Sequence, residues 1–228
     1  MLTLAFDTSS RTLSVAVLSD EKLLYEVVAN TGANHSEVLL PAMDEACRNV
    51  KHSLSEFDLL CCTVGPGSFT GLRIGISTLK GIMLSTGKPA VVVSSLAALA
   101  MNAGRTNKII YPVIDAGRGQ IYTAGYLYDG DSLKQQKTEM AGNPIDIFQH
   151  QEKDSVFLGD GAVKYSDSIE GKNNCIVMRS AQHDIIHGYN VGLLGLKKYR
   201  CFGGADVSAL SPLYLRCADA IPARPLFD

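Results

Sequence analysis

The residues best placed to do chemistry lie between Cys61 and Gly81, in the run CCTVGPGSFTGLRIGISTLKG. The apolar stretch Cys61 to Val64 is broken by Gly65-Pro66-Gly67, and Ser68 or Thr70 can cap the next element, which is how a strand, a tight turn and a helix are written. Backbone N–H groups at such a helix start attract anions. The glycines are spaced G-x-G-x-x-x-G, however, which is neither the dinucleotide G-x-G-x-x-G nor the Walker sequence ending in Gly-Lys-Ser/Thr. Elsewhere, His183-Asp184-Ile185-Ile186-His187 has the spacing that puts two imidazoles on one helical face. It falls short of the zinc-protease H-E-x-x-H, because Asp184 is shorter than the required Glu, Gly188 follows and no third ligand is near in sequence. The pair reads as a solvated face at the start of a C-terminal helix. His35, ahead of an amphipathic run, reads as a capping or packing residue. No histidine stands beside a Ser or Cys in a nucleophile and base arrangement, so the sequence offers no catalytic set.

The elements that would position these residues are legible from their patterning. Leu2 to Phe6, Leu13 to Leu18 and Leu23 to Ala29 read as an antiparallel meander turning at Asp7-Thr8-Ser9-Ser10 and at Ser19-Asp20-Glu21-Lys22. His35 to Val50 reads as a helix with Val38, Leu39, Ala42, Met43, Ala46 and Cys47 on one side, kinked in its first turns by Pro41. A strand Asp58 to Val64, a helix Phe69 to about Ser85, a strand Ala90 to Val93 and an alanine-rich helix Ser94 to Ala103 come next. The pattern then restarts. Ile109 to Ile114 ends in Asp115 as the first strand ends in Asp7, a return strand Ile121 to Leu127 follows the Gly117-Arg118-Gly119 turn, and Leu158-Gly159-Asp160-Gly161-Ala162 echoes Val64-Gly65-Pro66-Gly67-Ser68. Matches in the same order at this long period predict two similar domains rather than a solenoid of short units. The expected division is 1-104, 105-201 and a tail 202-228. Pro212, Pro222 and Pro225 predict that the tail lies extended over the body.

Composition narrows the function classes. The chain has 228 residues, 46% hydrophobic and 19% charged, with a net charge of −2. It carries no electrostatic field suited to a polyphosphate partner, so nucleic-acid binding by this chain alone is disfavoured. Cys47, Cys61, Cys62, Cys175, Cys201 and Cys217 form no C-x-x-C pair and read as reduced thiols of a cytoplasmic protein. The N-terminus enters an apolar strand with no basic leader, and Ala90 to Ala103 is too short and too interrupted to cross a bilayer, so neither secretion nor a membrane role is expected.

The repeated strand-strand-strand-helix-strand-helix unit, with Asp after its first strand and Gly-x-Gly after its fourth, resembles the ASKHA superfamily of sugar kinases, actin and heat-shock ATPases. Phe6-Asp7-Thr8-Ser9, His35-Ser36-Glu37-x-Leu39-Leu40-Pro41, the eleven residues Gly65 to Gly75, Ser94-Ser95-Leu96 and Ile114-Asp115-Ala116 narrow the likeness to the bacterial TsaB (YeaZ) family. The resemblance implies a two-domain α/β fold and a subunit of the machinery that makes threonylcarbamoyladenosine next to the anticodon of tRNAs reading codons that start with A. It implies as partners a TsaD-like transferase and a TsaE-like ATPase, a homodimer when they are absent, and tRNA met only through the complex. In the catalytic relative, a His-x-x-x-His pair binds a metal on the helix after the last strand of domain one. Ser95 and Leu99 stand at those places here and cannot replace nitrogen ligands, so an inactive homologue is expected. On the ASKHA plan Asp7, Thr8 and Ser9 form the first phosphate loop and Gly65 and Gly67 the second, which leaves room for ATP or ADP between the domains although none is required. Asp7 reads equally as a residue that closes a hairpin and caps local N–H groups.

Function is therefore expected on surfaces. Gly71, Gly75, Ser77, Thr78 and Gly81 are small enough for another helix to approach, and Leu39, Leu40, Met43, Leu72, Ile76 and Leu79 are the expected partner-binding residues on the two helices. An independent phosphotransferase or ATPase, or a peptidase of the M22 type, is the alternative from another class.

Overall fold

The computed structural model describes residues 1–30, 34–149, 154–169 and 175–215. Strands β1 (Leu2–Asp7), β2 (Thr12–Ser19) and β3 (Lys22–Asn30) form the expected meander, followed by α1 (His35–Val50), β4 (Leu59–Gly65), α2 (Phe69–Thr86), β5 (Ala90–Ser94) and α3 (Ser95–Ala100). The second half gives β6 (Ile109–Gly117), β7 (Gln120–Asp129), β8 (Ser132–Gly142), α4 (Pro144–Gln149), β9 (Ser155–Leu158), α5 (Asp160–Lys164), α6 (Ser166–Ile169), β10 (Ile176–Val177) and α7 (Gly188–Phe202). The sheets are ordered β3-β2-β1-β4-β5 and β10-β9-β6-β7-β8. Taken from the meander edge inward, the two orders are the same. β4 runs parallel to β1 with Phe6 opposite Cys62, and β9 parallel to β6 with Pro112 opposite Leu158. The α/β fold of duplicated units is thus present.

Alternation along the strands sorts side chains between two layers. Leu4, Phe6, Leu13 and Val15 face α1 and α2, where they pack with Leu39, Met43, Ile76 and Leu79. Ala5, Ala16, Leu18 and Cys61 face the other way, into a central core shared with Leu96, Leu99, Ile110, Leu158 and Val191. A third cluster, containing Tyr111, Phe148 and Phe157, closes the outer face of the second sheet, where the Phe157 ring stacks on Tyr111 and meets Phe148 edge-on.

α7 belongs by sequence to the second half, within 105-201, but it lies on the first sheet and touches β1, β2, β4 and β5. Gly188, Gly192 and Gly195 allow this approach: a Cβ at Gly195 would come within 2.2 Å of Cys61 Sγ. Asn190 ties the helix to α3 by donating to the Ala98 carbonyl at 3.1 Å and to Asn102 Oδ1 at 2.8 Å. The His183–His187 pair does not form the expected helical face. His183 lies in a 3-10 turn, Ala181–Asp184, and His187 is the residue preceding α7, so the imidazoles serve different elements. His187 Nδ1 donates to Glu26 Oε2 at 3.2 Å, and the other Glu26 oxygen accepts from Tyr189 N at 3.0 Å.

Cys47, Cys61, Cys62, Cys175 and Cys201 are free thiols, while Cys217, Pro222 and Pro225 fall outside the described residues. Among the described residues no helix is long and apolar enough to cross a membrane.

The hydrogen bond that His187 donates to Glu26, and the charge of that carboxylate, raise the pKa of His187. The folded state therefore holds the proton more tightly than the unfolded chain. The stabilisation is full below the unfolded value of about 6.5 and is lost as pH rises through the elevated folded value. Glu26→Gln should remove this loss, flattening the unfolding midpoint against pH above about 6.5 when followed by circular dichroism.

Candidate functional site

The loops expected to hold a ligand meet at the ends of β1 and β4. Asp7 is completely buried, and its Oδ1 accepts from Ser9 N at 3.1 Å, Ser9 Oγ at 2.6 Å and Thr63 Oγ1 at 2.5 Å. Oδ2 is buried without a hydrogen-bond partner among the described residues, and burial raises the carboxyl's pKa against the opposing effect of these donors. Ser9 offers its carbonyl to Ser68 N at 2.7 Å, and Thr8 Oγ1 donates to the Gly71 carbonyl at 2.8 Å. Ser68 caps α2 by accepting from Gly71 N. His35 Nε2 donates to the Ser10 carbonyl at 2.8 Å, and the ring edge lies against Gly71, which gives this residue its packing role.

Asp7, Thr8, Ser9, Gly65 and Gly67 are thus brought together, but the two turns close on each other. A Cβ at Gly67 would lie 2.2 Å from the Ser9 carbonyl oxygen, and one at Gly71 would lie 1.9 Å from that of Thr8. The N–H of Ser68, which the turn could have offered to an anion, is already taken by Ser9. Gly65, at φ +118°, faces the Leu213 carbonyl. Asp7 thus holds Ser9 and Thr63 through Oδ1 and keeps Oδ2 without a partner among the described residues.

In the second half, Asp115 at the end of β6 receives Lys164 Nζ at 2.7 Å, and its own N–H donates to Asp160 Oδ1 at 3.0 Å. On α3, Ser95 is buried with its Oγ unpartnered among the described residues, and Leu99 is buried in the central core. A methyl of Leu99 comes within 2.9 Å of where a Cβ on Gly159 would stand, so the space beside it is filled by packing. Among the described residues no cluster of three or more His, Cys, Asp or Glu could hold a metal ion.

The expected partner-binding residues separate. Leu39, Met43, Leu72, Ile76 and Leu79 are core residues of this chain and present no outer face. Gly71 and Gly75 likewise pack on Thr8, not on a visiting helix. Their apolar periodicity serves burial against the chain's own sheet. Leu40 is 56% exposed, and the outer line of α2 is Arg73, Ser77, Gly81 and Leu84, the last 75% exposed. A Cβ at Gly81 would meet nothing within 4 Å. Sequence reasoning missed Leu84, although its offset from the buried Leu72-Ile76-Leu79-Met83 stripe was the available signal.

Paired five-stranded sheets with matching order, with helices packed between them, make an ASKHA-type fold. A solved structure titled component A of the (R)-2-hydroxyglutaryl-CoA dehydratase of Acidaminococcus fermentans superposes with a TM-score of 0.53 at 12% identity, covering 88% of this chain and 99% of that one. YeaZ from Pseudomonas aeruginosa gives a TM-score of 0.82 at 24% identity, covering 94% and 99%. The family model of TsaD, tRNA N6-adenosine threonylcarbamoyltransferase, matches residues 24–186. The tRNA threonylcarbamoyladenosine biosynthesis protein TsaB of Bacillus subtilis (strain 168) is 31% identical over 225 residues, 96% of each chain. The chain belongs to the TsaB (YeaZ) family, a branch of the TsaD-like proteins.

The contacts of the glycines predict opposite outcomes along one helix. Gly71→Ala, forced against the Thr8 carbonyl, should destabilise the fold by more than about 2 kcal/mol. Gly81→Ala, exposed and uncrowded, should stabilise it by up to about 1 kcal/mol. Asp7→Ala strips an acceptor from buried donors and should cost about 2–4 kcal/mol. Chemical denaturation of the variants provides all three values.

Proposed function

We propose that the chain is a non-catalytic accessory subunit in the formation of threonylcarbamoyladenosine in tRNAs reading codons that start with A. It acts by docking the outer face of α1 and α2 on a TsaD-like transferase. The observation that carries the reading is the contrast on α3. The chain matches the transferase family across 24–186, yet the positions where the resemblance puts the metal ligands hold a buried hydroxyl, Ser95, and a core leucine, Leu99. Neither supplies an imidazole nitrogen, and a divalent ion placed there would meet hydrocarbon. Catalysis then falls to the partner, and this chain contributes a surface.

That surface is supported by the exposed Leu40 and Leu84, with the small residues Ser77 and Gly81 between Arg73 and Leu84. A groove of about 470 Å³, lined by Leu40, Cys47 and Leu54 and by the charged Asp44, Arg48 and Lys51, adjoins α1. Pairing of two copies of this patch across a two-fold axis serves a homodimer when the partner is absent. A TsaE-like ATPase joins the assembled pair, and tRNA is met only through the complex. Nucleotide is not required by this subunit: Ser68 N and Thr8 Oγ1 are already paired between the two turns, and Asp7 Oδ2 alone of the buried side-chain atoms there is left without a partner among the described residues.

Leu40→Asp combined with Leu84→Asp should abolish co-elution with the transferase while leaving circular dichroism unchanged, and should stop tRNA modification in the reconstituted system. Full modification without this chain would overturn the reading, as would ATP or peptide turnover by the chain alone. Magnesium ATP should leave the unfolding midpoint of the isolated chain where it was, as read by differential scanning fluorimetry.

A further inference from the structure

Docking by α1 and α2 leaves Arg73 and the C-terminal segment without a role, and the structure brings them together. After α7 the chain returns along the first half. Ala205 N donates to the Ala90 carbonyl at 2.8 Å, Leu210 is buried with the outer core, and Leu213 N donates to the Val64 carbonyl at 2.7 Å. The Leu213 carbonyl crosses Gly65, where a Cβ would stand only 2.7 Å away. Tyr214 then lies on Phe69 with ring centroids 4.6 Å apart. Its hydroxyl accepts from Arg73 Nε at 3.2 Å, and the Arg73 guanidinium carbon sits 3.9 Å above the Phe69 ring.

The Phe69 ring and the Tyr214 hydroxyl hold the guanidinium with Nε as the donor used, and its terminal N–H groups have no protein acceptor among the described residues. Arg48, Arg105 and Arg200 pair with Asp44, Asp131 and Asp20 of this chain, whereas no carboxylate among the described residues pairs with Arg73. Its terminal N–H donors form a planar fork suited to two oxygens of one ligand. Stacking has already restricted the side chain, so less rotamer freedom is lost when a ligand binds.

We infer that Arg73, stacked on Phe69 and held by Tyr214, is the polar anchor of the α1/α2 face and takes a carboxylate side chain of the partner helix laid along α2. This rests on the docking reading above and adds the chemistry of the contact. Arg and Tyr are enriched at interface hot spots, and here Arg73 sits in line with Ser77, Gly81 and Leu84 on the exposed side of α2 with Tyr214 of the C-terminal segment against it. A phosphate backbone is the less suited occupant. It is held by several cations in a stripe, whereas Lys80 is the only other cation on α2 and the chain carries a net charge of −2. Tyr214 is a positioning residue, acting through Arg73.

Titration calorimetry of the full chain against the purified TsaD-like transferase tests the anchor. Arg73→Glu should weaken binding by about 30-fold or more, the loss expected of an interface hot spot. Arg73→Lys keeps the charge without the fork and should fall between, and Tyr214→Phe should weaken binding by less than Arg73→Glu. All three should keep the wild-type circular dichroism. Failure of the wild-type chain to bind the transferase would remove the docking reading and this anchor with it. Wild-type binding matched by Arg73→Glu would overturn the anchor alone. If Arg73→Glu keeps its affinity for the transferase but weakens binding of a tRNA anticodon stem-loop to the assembled pair, Arg73 serves phosphate and the carboxylate assignment is overturned.

Discussion

The contact on which the first half depends is the backbone approach between the Asp7 to Ser10 loop and the start of α2. Two carbonyls, Thr8 and Ser9, press into spaces that exist only because residues 71 and 67 lack a Cβ. In return Ser68 N and Thr8 Oγ1 find partners across the contact, and Asp7 gathers Ser9 and Thr63 around one oxygen. Burying this much polar backbone would be costly if any of it were unpaired, and mutual pairing removes most of that cost. The contact fixes where α2 begins and therefore which of its residues face the sheet and which face out. The outward line of Arg73, Ser77, Gly81 and Leu84 is set by the same glycines that look, in sequence, like a phosphate motif.

A second constraint makes the two halves one body. The duplicated sheets cannot bury their inner faces against each other directly, because α7 and α3 lie between them. α7 is drawn from the end of the second half and laid on the first sheet, with three glycines permitting the approach and Asn190 holding α3. The C-terminal segment then continues on the first half as far as Gly65 and Phe69. The first sheet is thus finished by chain from the far end, which ties the helices that carry the outer surface to residues more than a hundred positions away.

Much of this was legible in the sequence, and the parts that were not have physical reasons. The meander, α1, β4, α2 and β9 are announced by strong periodicity and glycine punctuation. β8 is silent because it is a polar edge strand, Ser132–Gly142, whose side chains face solvent on much of its length and so lack apolar alternation. The course of α7 is silent because periodicity reports that a face is buried and not what buries it. The same ambiguity explains the partner residues: an apolar stripe on α2 marks its inner side, so Leu72, Ile76 and Leu79 were drawn to the core while Leu84, off the stripe, stayed outside. Tyr214 could not be placed on Phe69 by any local pattern.

A ligand-binding loop leaves backbone donors unpaired until the ligand arrives, and its side chains are held open against their tendency to collapse. Here the Ser68 N–H and the Thr8 hydroxyl have found protein acceptors and the chain's own C-terminal segment crosses the second turn, while Asp7 Oδ2 and Ser95 Oγ stay buried without a partner among the described residues. The exposed side of α2 shows no such closure. Gly81 remains uncrowded in the middle of a helix, where alanine would be better by about 1 kcal/mol, and Leu84 remains in water. Gly81 and Leu84 thus lie on the side of α2 that the sheet does not use, while Leu72, Ile76 and Leu79 on its other side are spent on the core.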